Sequence, residues 1–150
     1  MSDDGDRIID EINALDGREQ EHVPWLLGLL THNDDAVRYA ALRTVIHECD
    51  VPTLPERLWP MLDNEPDADV LLLVISALSI HRQSSKDVNV LRRFQNAIER
   101  VGDKSDGMQE AFDDAKLRIM LGLDTKQIVK TSSAERCKQL AELNAKLGMN

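Results

Sequence analysis

Aromatic side chains are scarce: 150 residues hold two Trp, two Phe and one Tyr. No stretch alternates Thr, Val or Ile with polar residues. A pleated core would lack the side chains that favour it, so strands are not expected. Nor does any apolar run approach the ~20 residues a membrane-crossing helix requires. Cysteine is limited to Cys49 and Cys137, far apart and in no metal-ligand spacing. The expectation is two reduced thiols in a cytoplasmic protein. No glycine-rich phosphate loop follows a strand. The N-terminus, Met1 to Asp6, is acidic, whereas a secretion signal starts basic and turns apolar.

Clustered cations are lacking as well. The chain carries a net charge of −9. Residues 1–50 hold four Lys/Arg against twelve Asp/Glu and account for −8 of it; residues 51–100 add −1, and residues 101–150 are neutral. A nucleic-acid backbone needs grouped positive charge, and so does an anionic membrane surface. Neither is expected as a partner. A basic protein partner is compatible with the acidic excess.

What is present is helical periodicity. Ile8, Ile9, Ile12 and Leu15 share a face over residues 6–15, and Gly17 can end that helix. Pro24 opens a run with Trp25, Leu26, Leu29 and Leu30. His32-Asn33-Asp34-Asp35 is turn chemistry with Asp34 as N-cap. A longer helix then buries Val37, Ala41, Leu42, Val45 and Ile46. The pattern restarts at Pro55 with Leu58, Trp59, Met61 and Leu62, turns at residues 63–67, and continues from Val70 to Ile80. Val37 and Val70 lie 33 positions apart, as do Leu29 and Leu62. Two hairpins of one design at one period signal a helical repeat. A third, looser hairpin turns inward Val88, Leu91, Phe94 and Ile98, then Met108, Phe112, Ala115 and Ile119. Residues 132–147, with Leu140, Leu143 and Leu147 on one side, form a closing helix ended by Gly148.

The run Pro24-x-Leu26, Leu29-Leu30, Asp35-Ala36-Val37-Arg38-x-x-Ala41 resembles the HEAT repeat, a helical hairpin of the armadillo-like class. Residues 54–81 share Asp69-Val70, with Leu71 where the family places Arg. The resemblance implies an all-α, short right-handed α-solenoid of about three HEAT-like hairpins capped at both ends. The expected layout is a single domain over 1–150: an N-terminal cap helix at 1–20, hairpins at 22–48, 54–81 and 86–122, and a C-terminal cap at 124–150. It also implies that Arg38, with Asp35, serves the turns by bonding their carbonyls and carboxylates.

No catalytic set emerges. His47-Glu48-Cys49-Asp50 lacks the second His, four positions on, of a zinc-protease helix. Asp63, Glu65, Asp67 and Asp69 alternate as in calcium loops, but Ala68 and Val74 stand where such a loop needs Gly and Glu. No cofactor or metal is expected, and His22, His32, His47 and His81 show no ligand spacing. Among HEAT-like enzymes, a chromophore-lyase-like chemistry would need a pocket with acid/base residues, and a DNA-glycosylase-like one a basic cleft. The face of the second helices remains, which lines the concave side in HEAT-like stacks. With Val37, Ala41 and Val45 inward, Tyr39, Arg43 and His47 project together, and their counterparts 33 positions on are Leu72, Ser76 and Ile80. Tyr and Arg are favoured binding anchors. These six are the candidate partner-binding residues of a non-catalytic protein-binding module. An acidic immunity or inhibitor protein that occludes a basic toxin or enzyme is the alternative.

Overall fold

A computed structural model describes residues 3–15 and 20–149. Among these residues every regular element is a helix. The chain divides into two compact units, Met1–Arg57 and Leu58–Asn150.

The first unit holds α1 (Asp3–Asn13), a 3-10 turn (Gln20–His22), α2 (Val23–Gly28), a second 3-10 turn (Leu29–Thr31) and α3 (Asp35–Glu48). Gly17, expected to end the first helix, lies outside the described residues. Pro24 sits in the first turn of α2, where its missing N–H breaks no hydrogen bond. At Asp34 the carboxylate accepts the Ala36 N–H at 3.0 Å and starts α3. Such a cap stabilises a helix by about 1 kcal/mol. Both α1 and α2 pack on α3. Of the α1 stripe, Ile12 is buried, and Ile8, Ile9 and Leu15 are half-buried. The α2 stripe is rotated from expectation: Leu26, Leu27 and Leu30 are buried, and Trp25 is 38% exposed. Leu26, Leu27 and Leu30 fall at i, i+1 and i+4, one side of a helix, and Trp25 falls on the other.

After Leu54, α4 (Leu54–Asn64) carries the chain into the second unit, followed by α5 (Ala68–His81), α6 (Val88–Val101), α7 (Asp106–Leu121), α8 (Thr125–Lys130) and α9 (Ser133–Leu147). Asp67, Asp87, Ser105, Asp124 and Ser132 each accept a backbone N–H at a helix start. Gly102, Gly122 and Gly148 end α6, α7 and α9 in the left-handed region, where a side chain would cost about 1–2 kcal/mol. α5 packs against α6 and, most closely, α7, and α9 packs on α7. Leu117, Ile128 and Leu143 form a small core beneath α8 and α9. The apolar spacing does not predict α8, because its six residues bury one side chain, Ile128; its start is fixed by a capping box between Asp124 and Gln127.

The two 14-residue helices α3 and α5 share a burial register. Val37, Arg38, Ala41, Leu42 and Val45 are buried in α3. Val70, Leu71, Val74, Ile75 and Leu78, each 33 positions later, are buried in α5. In α7 the 33-residue step is lost. Between α5 and α6 the chain is stapled to the end of α7. The Ser84 and Lys86 N–H groups donate to the Arg118 and Ile119 carbonyls at 3.0 and 2.9 Å, and Gln83 Nε2 donates to the Gly122 carbonyl at 2.9 Å. Ser84 and Lys86 adopt φ of 65° and 56° to make these bonds.

Candidate groove between the first and third helices

In the first unit, α1 and α3 flank a groove of about 480 Å³. Ile9, Ile12, Asn13 and Leu15 form one wall. Tyr39, Arg43, Thr44 and His47 form the other, with Glu48 at its end. Ala36 and Ala40 lie between them, and their small side chains leave the space open. Helical geometry explains the polar wall. Positions 39, 43 and 47 recur at four-residue spacing on one side of α3, about 6 Å apart along its axis.

The hydrogen-bonding capacity of this wall is largely unspent. Tyr39 is half-buried, and Arg43 and His47 are exposed. None of the three makes a hydrogen bond or ion pair with another described residue. Thr44 differs, since its hydroxyl donates to the Ala40 carbonyl at 2.9 Å.

The other three candidate residues belong to α5 in the second unit. Leu72 and Ser76 are half-buried, and Ile80 is 53% exposed. The Leu72 side chain reaches toward Gly107 at the start of α7, where an added Cβ would lie 3.8 Å from Leu72 Cδ1. Leu72 is therefore partly committed to packing.

Arg38 is only 9% exposed, and Nη1 donates to the His32 carbonyl at 2.8 Å. The same turn is tightened by the Asp34 N–H, which donates to His32 Nδ1 at 3.0 Å. The two cysteines are not joined in a disulfide: Cys49 is half-buried and Cys137 exposed. Burial pushes the Cys49 thiol above its ordinary value, and the Glu48 carboxylate adds to that. Among the described residues no group of three or more His, Cys, Asp or Glu could hold a metal ion, and no helix is long and apolar enough to cross a membrane.

Sequence reasoning missed three charged arrangements, all in the second unit. Lys116 is fully buried. Its Nζ donates to Asn144 Oδ1 at 2.8 Å, lies 3.8 Å from an Asp113 oxygen, and sits 4.4 Å from the Phe112 ring centroid. Desolvation lowers its pKa from the usual lysine value, against the pull of Asp113. The signal was in the spacing: Lys116 follows Phe112 by four positions and precedes Ile119 by three, on the inward stripe. Near it, burial raises the Asp114 pKa; Glu110 adds to the rise, and Arg118 and Arg136 oppose it. The third arrangement surrounds Trp59. The Arg82 and Arg93 guanidinium carbons lie 5.3 and 4.6 Å from its ring centroid, and Arg93 pairs with Asp63 at 3.0 Å. Two turns further along α6, Arg100 donates to the Leu62, Asp63 and Glu65 carbonyls at 3.0, 2.6 and 2.8 Å.

Compared with known protein families, with curated proteins and with solved structures, the chain matches none of them.

Proposed function

We propose that this chain is a HEAT-like helical-repeat module that binds another protein without catalysing a reaction. Its candidate contact residues are Tyr39, Arg43 and His47 in the α1–α3 groove of the first unit and, as a separate stripe on α5 of the second unit, Leu72, Ser76 and Ile80. The observation that carries this reading is the row of unspent polar groups on α3, across the groove from Ile9, Asn13 and Leu15. Donors and aliphatic surface side by side suit a protein ligand, because such interfaces combine buried apolar contact with a modest number of hydrogen bonds. The 33-residue burial register of α3 and α5 supports the repeat.

The test is the double substitution Tyr39→Ala with Arg43→Glu. Far-UV circular dichroism and the melting temperature should stay near wild type, because Arg43 is exposed and Tyr39 half-buried. Copurification of a partner from native-host extract, measured quantitatively against wild type, should fall at least tenfold, as expected for loss of an anchor pair. Undiminished capture by a folded double variant overturns the proposal.

An inhibitor or immunity role is a second reading, favoured by the charge distribution. Residues 1–57 hold five Lys/Arg against thirteen Asp/Glu, a net of −8, and residues 58–150 carry −1. Charge concentrated in one unit speeds encounter with a basic target. Tight, salt-sensitive association with one basic protein distinguishes this role from weak binding to several partners.

A further inference from the structure

The groove wall has a cation where the unit has an excess of anions. Residues 1–57 contain thirteen Asp/Glu, yet none of the described ones lies in ion-pair reach of Arg43. An unpaired arginine on open surface is ordinary, and Arg57 and Arg92 are exposed in that way. Arg43 differs by its setting. It lines a concave site together with Tyr39 and His47, one turn to either side of it along α3, and with Ile9 and Leu15 of the α1 wall.

That setting defines an occupant. The planar guanidinium fork matches a carboxylate through two parallel hydrogen bonds, and a neighbouring phenol can donate a third. The facing wall asks for aliphatic side chains beside that carboxylate. Tyr39 and His47 are separated by about 12 Å along the helix axis, which is the reach of two turns of a docked helix. Outside the groove, the net charge of −8 over residues 1–57 favours lysine and arginine on the occupant's remaining surface.

We propose that the groove seats an amphipathic helix of an otherwise basic partner protein, and that one acidic side chain in the helix's apolar stripe pairs with Arg43. This rests on the groove being the contact face, as proposed above, and adds the chemistry of the ligand.

The experiment uses the full chain and two fluorescein-labelled, C-terminally amidated helical peptides of about 16 residues. Both are built from Lys, Leu and Ala. One carries a single Glu within the Leu stripe, and the other carries Gln at that position. Amidation leaves the Glu side chain as the one carboxylate in the peptide body. Fluorescence anisotropy should show the Glu peptide binding wild type about tenfold more tightly than its twin, as befits a charge-assisted pair. In Arg43→Gln the ratio of the two dissociation constants should fall to about one. Equal binding of the two peptides to wild type, or a Glu preference that persists in Arg43→Gln, overturns the carboxylate assignment. If Tyr39→Ala still weakens both peptides in that case, the groove remains the contact face. If Tyr39→Ala weakens neither, the contact face itself is wrong and both proposals fall. A second copy of this chain as the occupant would appear as Arg43-dependent dimerisation in sedimentation, and that result also overturns the proposal.

Discussion

Replacing Lys116 by Met puts the buried ammonium to a quantitative test. The side chain is fully enclosed, with Asn144, Phe112 and Asp113 around its nitrogen. Burying the charge costs several kcal/mol. Against this stand a charged hydrogen bond, about 1.5–3 kcal/mol, and a desolvated ring contact of about 2 kcal/mol. Methionine keeps an unbranched stem and removes all three contributions. They nearly cancel, so Lys116→Met should shift stability at neutral pH by less than about 1.5 kcal/mol. Lys116→Ala, which empties the space of the stem, should cost about 3 kcal/mol. The pH profile separates charge from packing. Burial lowers the folded-state pKa of Lys116, whereas the unfolded chain titrates near 10.4. Between those values the unfolded state binds more protons, so stability rises with pH through that window and is lowest below it. Urea melts followed by circular dichroism from pH 7 to about 10.5 should show that rise in wild type. The Met variant should lack this component, and subtracting the two profiles removes every other titrating group. Parallel profiles would place the amine in water and refute the reasoning.

Gly122→Ala should destabilise by about 2–3 kcal/mol, because φ is +72° there and the new methyl would press on Ser84 Oγ. Adding Ser84→Gly should recover the steric part, a coupling that a double-mutant cycle on thermal melts will read. Arg100→Ala strips donors from the Leu62, Asp63 and Glu65 carbonyls and should cost about 1–2 kcal/mol in a urea melt, with Arg100→Lys restoring less than half of it. Exposed Cys137 should react with a thiol-labelling reagent at pH 8 well before Cys49, whose thiol is half-buried and shifted upward; peptide mass mapping reads the order, and unfolding should make the two rates equal.

Helix content and most boundaries were legible because local chemistry sets them. Asp34 and Ser132 sit before apolar stripes, and Gly102, Gly122 and Gly148 sit just after them. Tyr39, Arg43 and His47 were legible as one row, since four-residue spacing alone puts them on one side of α3. That α1 supplies the facing wall was not, because which helix covers which depends on contacts distant in sequence. The same limit hid the Trp59 cluster. Trp59 reads as an apolar residue of α4, and only the approach of Arg93 from α6 and of Arg82 beyond α5 makes it an arginine-flanked ring. Lys116 was overlooked for a different reason. Its spacing was inward, but a lysine on an apolar stripe is ordinarily assigned to the rim, where its stem covers the core and its head reaches water. Here α9 supplies Asn144 and closes that route.

Leu71 stands 33 positions after Arg38, and the two turns before α3 and α5 find their donors in different places. In the first unit, Arg38 bonds the turn carbonyl of His32. The counterpart of His32, 33 positions on, is Glu65, and the counterpart of Arg38 is Leu71, which has no donor to offer. A turn carbonyl left without a donor as water is excluded would cost about 1–3 kcal/mol. Instead Arg100 reaches from α6 to the Glu65 carbonyl at 2.8 Å, and its second nitrogen also serves the end of α4. Leu71, freed from that duty, is fully buried and adds to the packing of α5. The turn before α3 is served by a residue of α3 itself, whereas the turn before α5 is served by a residue of α6. The donor that a helical turn requires is thus fixed by geometry, while the helix that supplies it is free to change.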